Sequence, residues 1–382
     1  MRIALVTDTP RMGGAERLLI DLAQGALAAG HEVHVLAPQV WLLDEVTAQA
    51  PGVLTQRVAT DSFTATTSRP RLARALAQAL PATVLALRRL APDVVHVCNG
   101  GFPGSELCRL TTIAAYVARV PRRLLTVHAV PRPRAPWQPR LQAAMDRAVW
   151  ASVDDVVAAT TIVGDQLHAL RGMPSARFVR IPYGVAEPGG DDEHAALRAG
   201  LAGPDELLVG MVAATADAQK GHAVLVEALA LAPRVRAVIV GALPPDAARS
   251  RIDELGLAER VTIAGRVDAV GPYLHAVDAL VLPSVADESL PLVVLEAMAT
   301  GTPVIASRLA GLPEAVDHGE HGYLFAAGDA AALAALLRRA RDDRASLARL
   351  GVAARRRWEQ RFSLAAMTRS HLDLYERTRP SL

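Results

Sequence analysis

Lys220 is the only lysine in a chain that carries 40 arginines. Where arginine stands almost everywhere else, a surviving lysine marks a place that wants a compact, strongly hydrated ammonium on a flexible stem rather than a planar fork. Its setting, Gln219-Lys220-Gly221-His222, lies between an apolar run and a helical stretch. A second candidate is a pair of carboxylates in Glu288-Ser289-Leu290-Pro291-Leu292-Val293-Val294-Leu295-Glu296. Their spacing is a little over two turns, so both fall on one side of a helix that begins near Leu290. The surroundings of Glu296 are strongly apolar, and a carboxylate there needs polar partners such as sugar hydroxyls. A third is Gly13-Gly14-Ala15-Glu16 at the start of a helix. Glycines let backbone N–H groups approach an anion, and a helix N-terminus favours negative charge. This is not G-x-G-x-x-G, which argues against a nicotinamide-dependent oxidoreductase. The fourth is His128, at the end of an apolar strand run, where ligands bind in parallel sheets. Taken alone it fits a satisfied structural histidine better than a ligand-binding one.

The elements that must position these groups alternate between strands and helices. Apolar runs at Ile3–Thr7, Val33–Leu36, Val94–Cys98, Leu124–Val127 and Val156–Ala159 read as strands, and Ala15–Ala29 as a helix closed by Gly30. The pattern restarts after residue 206, with strands at Leu207–Ala213, Ala237–Val240, Val261–Ala264, Ala279–Leu282, Pro303–Ala306 and Tyr323–Phe325. Helices are expected near 222–232, 246–256, 291–300 and 329–340. Continuous rather than alternating apolar runs fit strands covered on both faces, and strand–helix alternation implies parallel sheets. The reading is an α/β protein of two Rossmann-like, doubly wound parallel-sheet domains facing across a cleft. It assigns 1–186 to an N-terminal acceptor-side domain and 187–362 to a C-terminal donor-binding domain. The span 363–382 is a crossover helix returning to the first, with Ser363–Glu376 as its helical part. Glu187–Pro204, rich in Gly, Pro and Asp, reads as a linker.

Composition narrows the classes. The chain is 51% hydrophobic and 21% charged, as expected of a globular protein rather than a disordered one. No run of about 18 apolar residues could span a membrane, and Met1–Val6 enters a strand directly, unlike a signal peptide. Cys98 and Cys108 form neither a disulfide framework nor a metal-ligand spacing. The expected compartment is the cytoplasm. Residues 1–186 hold 20 arginines against 13 acidic residues, while 187–382 hold 21 basic against 26 acidic. A basic first half favours an anionic substrate or membrane surface. The arginine-rich segment 119–147, with Trp137 and Pro131, Pro133, Pro136 and Pro139, is the candidate for peripheral contact with the inner membrane face, or else a solvated loop.

The four features in this order resemble the retaining GT-B glycosyltransferases, specifically glycosyltransferase family 4. The likeness runs over nearly the whole chain and is strongest from about 207 to 325. Its motifs there are Leu-Gly-Leu-Ala-Glu-Arg-Val at 255–261, Asp278–Ser284, the two-glutamate motif, Glu296-Ala-Met-Ala, Gly301-Thr-Pro-Val and Gly311-Leu-Pro-Glu314. The resemblance implies a nucleoside-diphosphate-sugar donor and an acceptor hydroxyl, with no cofactor, no metal and no nucleic-acid partner. Lys220 matches the lysine on the donor diphosphate, Glu288 the acid beside the transferred sugar, and Glu296 the acid on the ribose. Ser289, Leu290 and Pro291 would line sugar and phosphate. Arg266 and Val267 match the segment holding the base. Gly13 and Gly14 match the phosphate-approaching glycines, and His128 the histidine near the anomeric centre. His128, Lys220 and Glu288 are thus the expected catalytic residues.

The chain also departs from the family pattern. The family has an arginine several residues before the lysine, whereas Ala213–Gln219 contains none. Tyr183 stands for the usual asparagine and Ala186 for the usual aspartate. Val240-Gly241-Ala242-Leu243-Pro244 lacks a second glycine, and Ala310 replaces the glycine before Gly311. These differences motivate an alternative reading, a catalytically weak or inactive relative that binds a nucleotide sugar or a partner protein.

Overall fold

The computed structural model describes residues 1–58, 75–135, 139–190, 192, 194–215, 217–242, 245–286 and 288–377. The chain divides into two compact units, Met1–Gly184 with Leu364–Leu382, and Val185–Ser363. Each holds one parallel sheet.

The first sheet is built from β1 (Arg2–Thr7), β2 (Glu32–Ala37), β3 (Leu54–Arg57), β4 (Val94–Asn99), β5 (Arg122–Val127), β6 (Asp155–Ala158) and β7 (Phe178–Arg180). Their order is β3-β2-β1-β4-β5-β6-β7. All pairs are parallel, with Ile3 opposite Val33 on one side and Val94 on the other. The inner strands are buried on both faces, which is why their sequences are largely apolar runs, interrupted in β4 by His96. β3 is an edge strand exposed along its length and carries no such run. The chain's last helix, Leu364–Glu376, belongs to this unit. At Gly25 it comes so close to the helix Gly14–Ala28 that an added Cβ would lie 2.4 Å from Thr368 Oγ1.

The second sheet comprises β8 (Leu207–Ala213), β9 (Val235–Gly241), β10 (Val261–Gly265), β11 (Ala279–Leu282), β12 (Val304–Ser307) and β13 (Gly322–Phe325). The order β10-β9-β8-β11-β12-β13 is again all parallel. Its core joins Val209, Met211, Leu225, Ile239, Val281 and Ile305 with Leu333 and Leu337 of the helix Ala330–Asp342. In both sheets the strand order reverses beside the first strand, between β1 and β4 and between β8 and β11. Ligands of such sheets bind at the carboxyl ends of these strands.

Two differences from the sequence reading have physical causes. The helix His194–Leu201 occupies part of the segment read as a linker, and none of its residues is fully buried. The helix Arg344–Arg361 was not anticipated. It buries only Leu347, Leu350, Gly351, Ala354 and Trp358, a thin stripe among arginines.

Candidate functional site

In the second unit the loops after β8 and β11 are stitched together. After β8 the chain makes a short turn at Ala218–Lys220 and then passes through Gly221 in the left-handed region, at φ +76°. A Cβ on Gly221 would lie 1.9 Å from the carbonyl oxygen of Pro283, so only glycine allows this approach. The Val285 N–H donates to Gln219 O at 2.8 Å across the same seam. These contacts set Lys220 against Glu288. Lys220 Nζ donates to Glu288 Oε1 at 2.7 Å, and Ser284 Oγ donates to the same oxygen at 2.8 Å. Glu288 is buried, while the Lys220 side chain is 20% exposed, so the lysine is the solvent-facing member of the pair.

Pro291 opens the helix Leu292–Ala299, with no side chain capping the first turn. The orphan amides of such a turn attract anions. Leu290 is buried, and Ser289 Oγ is shut from solvent without a hydrogen-bond partner. Glu296 lies in the second turn, buried with Val294, Leu295, Ala297, Met298 and Ala299, whereas Leu292 and Val293 are half-buried. Thus Lys220, Glu288, Ser289, Leu290, Pro291 and Glu296 occupy two adjacent loops and one helix start, at the point where the strand order reverses. Arg266 and Val267 sit elsewhere, on the loop after the outer strand β10. Val267 packs on a small apolar cluster with Leu208, Val238, Val240 and Val277. Arg266 is exposed, and no ion pair joins it to the Lys220 cluster among the described residues. Ala216, Leu243 and Pro244 fall outside the described residues.

Two residues here escaped sequence reading. Ser284 holds the Glu288 carboxylate; it ends the motif Asp278–Ser284, but the sequence assigned it no role. His222, two residues beyond Lys220, is buried with both ring nitrogens unpartnered. Burial, then the Lys220 charge, hold its imidazole below the ordinary value.

In the first unit, Gly13 caps the helix Gly14–Ala28 and offers no side chain. Glu16 folds back over this turn: a Cβ on Gly13 would lie 3.1 Å from Glu16 Oε2. Burial pushes the Glu16 carboxyl up, against the hydrogen bonds it takes from its own amide, from Thr9 and from the Gly13 amide. Part of this helix terminus's affinity for negative charge is therefore met by the chain itself. Neighbouring loops are tied by side chains: Gln39 donates to Asp8 Oδ1 at 2.7 Å, and Ser105 to Asp8 Oδ2.

His128 leaves β5 with its amide donating to Asn99 O at 3.1 Å. Its Nδ1 lies 3.1 Å from the Tyr183 hydroxyl, which also donates to the His128 carbonyl at 3.0 Å. Burial, helped by His371, pushes the imidazole down to about 4, so it is neutral near pH 7. Nearby, His96 is fully engaged, by Tyr375 and by Thr126, each at 2.6 Å. Burial holds its imidazole well below the usual value, and pushes that of His371 down to about 4.

Three arginines of the arginine-rich segment are held in ion pairs. Arg122 pairs with Asp155, Arg123 with Asp154 at 2.7 Å, and Arg134 with buried Asp146 at 2.9 Å, which Arg171 also holds at 2.8 Å. Arg119, Arg132, Arg140 and Arg147 are exposed. Pro136 and Trp137 lie outside the described residues. No helix of the described residues is long and apolar enough to cross a membrane.

Comparison with known proteins matches each unit separately. The model of Glycosyltransferase Family 4 covers residues 12–187, and that of Glycosyl transferases group 1 covers 206–343. A D-inositol 3-phosphate glycosyltransferase of Streptomyces avermitilis is 31% identical over 242 residues, 58% of this chain and 52% of that one. Its namesake in Mycobacterium marinum is 34% identical over 218 residues, covering 53% and 46%. The chain thus spans about half the length of the curated relatives it matches. Among solved structures, Anabaena HepE in complex with UDP superposes with a TM-score of 0.79 at 22% identity, covering 98% of this chain and 99% of that chain. A glycosyltransferase from Rickettsia africae gives 0.81 at 19%, covering 98% and 97%. At these identities the structural likeness speaks for the fold alone. With a family match on each unit and this fold throughout, the chain is a glycosyltransferase family 4-like protein of the GT-B class.

Proposed function

We propose that this protein is a retaining glycosyltransferase that moves a hexosyl-type group from a nucleoside-diphosphate sugar to an acceptor hydroxyl, without a metal or cofactor. The observation that carries the reading is the Lys220–Glu288–Ser284 cluster at the strand-order reversal of the second sheet. Relatives named as glycosyltransferases support it, as do solved neighbours holding UDP and UDP-glucose.

In this reading the diphosphate lies against Lys220 and the uncapped amides of Leu292–Ala299. An ammonium has three donors; Glu288 takes one, which leaves two for phosphate oxygens. As the bond from C1 to the diphosphate oxygen breaks, negative charge grows on the leaving group, and these donors stabilise it most at that moment. The sugar becomes oxocarbenium-like. The acceptor hydroxyl attacks C1 from the face that the diphosphate leaves, and its proton passes to a leaving phosphate oxygen. Glu288 receives hydroxyls of the transferred sugar and Glu296 those of the ribose, Ser289, Leu290 and Pro291 line the sugar and phosphate, and Arg266 with Val267 borders the base. Gly14 presents its amide to the phosphate beside Gly13, whose own amide Glu16 takes, and neutral His128 orients the sugar.

The test is turnover of UDP-, GDP- and ADP-sugars by the purified chain, alongside Lys220→Ala and Glu288→Ala. Loss of the lysine should lower kcat by about 100- to 1,000-fold, the usual cost of one donor to a developing oxyanion. Wild-type rates in both variants would sink these roles. The absence of an arginine from 213–219 favours one other reading, a weak or inactive relative. Thermal stabilisation by a nucleotide sugar with no transfer to any acceptor would decide for it. A peripheral membrane contact would rest on Arg119, Arg132, Arg140 and Arg147, and no co-sedimentation with anionic liposomes would remove it.

A further inference from the structure

Tyr183 is one of the positions where this chain departs from the family pattern, and its hydroxyl touches His128 twice. It lies 3.0 Å from the His128 carbonyl oxygen and 3.1 Å from Nδ1. A carbonyl oxygen only accepts, and a phenol has one proton to give. With that proton on the carbonyl, the second contact must run the other way, from an Nδ1–H to a phenolic lone pair. A neutral imidazole carries one N–H, so the assignment settles both nitrogens. Nε2 is closed off from solvent and has no hydrogen-bond partner among the described residues.

We infer that Tyr183 locks His128 in the Nδ1–H tautomer and so leaves Nε2 as a bare acceptor for an O–H donor. Tyr183 is therefore a positioning residue: it acts through the ring it orients. Burial keeps that ring neutral, so no second proton occupies Nε2 near pH 7. Two hydroxyl sources fit. His128 and Tyr183 line a small cavity with Leu18, His96, Thr126 and His371, of about 20 Å³, room for one water molecule. The other source is a hydroxyl of the transferred sugar, which must open this cavity to reach Nε2; this alternative rests on the glycosyl-transfer reading. Sugar recognition then needs a substrate that donates to His128, because the ring has no N–H to offer on that side.

The experiment is nitrogen-15 NMR of the full chain labelled at histidine, with the His128 signals assigned by their loss in His128→Gln. Ligand-free wild type should show Nδ1 as a protonated, pyrrole-type nitrogen and Nε2 as an unprotonated, pyridine-type one. Tyr183→Phe keeps the apolar ring and removes the hydroxyl, and it should shift His128 toward a mixture of tautomers. A protonated Nε2 in wild type, or an unchanged tautomer in Tyr183→Phe, overturns the inference. UDP and UDP-glucose are then added separately. A shift of the Nε2 signal with UDP-glucose but not UDP identifies the sugar as the hydroxyl source, and an equal signal in both identifies the water. If neither ligand binds, the donor reading fails while the ligand-free tautomer result still stands.

Discussion

The two units hold their candidate groups by opposite means. Around Lys220 the second unit sets charge against charge, an ammonium on a buried carboxylate that a serine also holds. The loops that do this get their shape from the backbone, through Gly221 pressed on a carbonyl. Around His128 the first unit suppresses charge. Three buried imidazoles, His96, His128 and His371, are kept neutral, and the loops are tied by side chains such as Tyr183, Asp8 and Gln39. The difference sets a charged pair in one unit against neutral imidazoles in the other. It also makes the second unit vulnerable to backbone changes and the first to acid.

The most damaging single change should be Gly221→Ala. The added methyl group would meet the Pro283 carbonyl at 1.9 Å, and the residue would stay at φ +76°. Backbone on both sides of the clash leaves no side chain to yield, so the cost should be on the order of 3 kcal/mol or more. Chemical denaturation measures it, and any protein that folds should lose the Lys220–Glu288 pairing and with it nucleotide binding. A variant of wild-type stability would break the claim that backbone contact shapes this loop.

Acid should act on the first unit. The folded imidazoles of His128 and His371 lie near 4, below the roughly 6.5 of an unfolded histidine. Between those values the unfolded chain binds more protons, so the stability these histidines confer is whole above about pH 6.5 and falls as pH drops toward 4. Each can withdraw on the order of 3 kcal/mol across that window. Urea midpoints at pH 7, 6 and 5 should fall steadily, and less steeply in His371→Gln. A flat profile would end the contrast between the units.

A smaller effect is expected from Ser284→Ala. It removes one of two donors to Glu288 Oε1 and should cost about 1–2 kcal/mol, read as roughly tenfold weaker donor binding. If the pairing with Lys220 carries the carboxylate alone, the serine variant will bind as wild type does.

Much of this arrangement was legible in the sequence because strands buried on both faces announce themselves. β1, β8 and β11 are continuous apolar runs and β4 is broken only by His96, and the strand–helix alternation gives the sheets their parallel sense. The edge strands Leu54–Arg57 and Phe178–Arg180 carry no such run, and the helix Arg344–Arg361 hides its narrow buried stripe among arginines. The solitary Lys220 and the spaced glutamates pointed to the cluster. Ser284 and Tyr183 did not, because a hydroxyl's role depends on which loop lies opposite, and that is a matter of long-range packing. Nor did the sequence show that Arg122, Arg123 and Arg134, counted toward a basic surface, are tied up in ion pairs.

The weakest expected effect probes the backbone side of the comparison from the opposite direction to Gly221→Ala. Ala310 stands where the family has glycine, and it adopts φ +46°, a left-handed conformation that an L-residue enters at a cost of about 1–2 kcal/mol. The turn around it is closed by Leu309 N–H on Ser307 O at 2.9 Å and Leu312 N–H on Leu309 O at 3.0 Å, so the conformation is imposed by its neighbours. Glycine would relieve the strain but enlarge the freedom of the unfolded chain, which returns part of the gain. Ala310→Gly should therefore stabilise by about 0.5–1 kcal/mol, the difference between these two terms. A higher urea midpoint with unchanged nucleotide binding is the expected result. A lower midpoint would mean that the alanine methyl packs usefully in the turn, and that side chains as well as backbone shape the loops of the second unit.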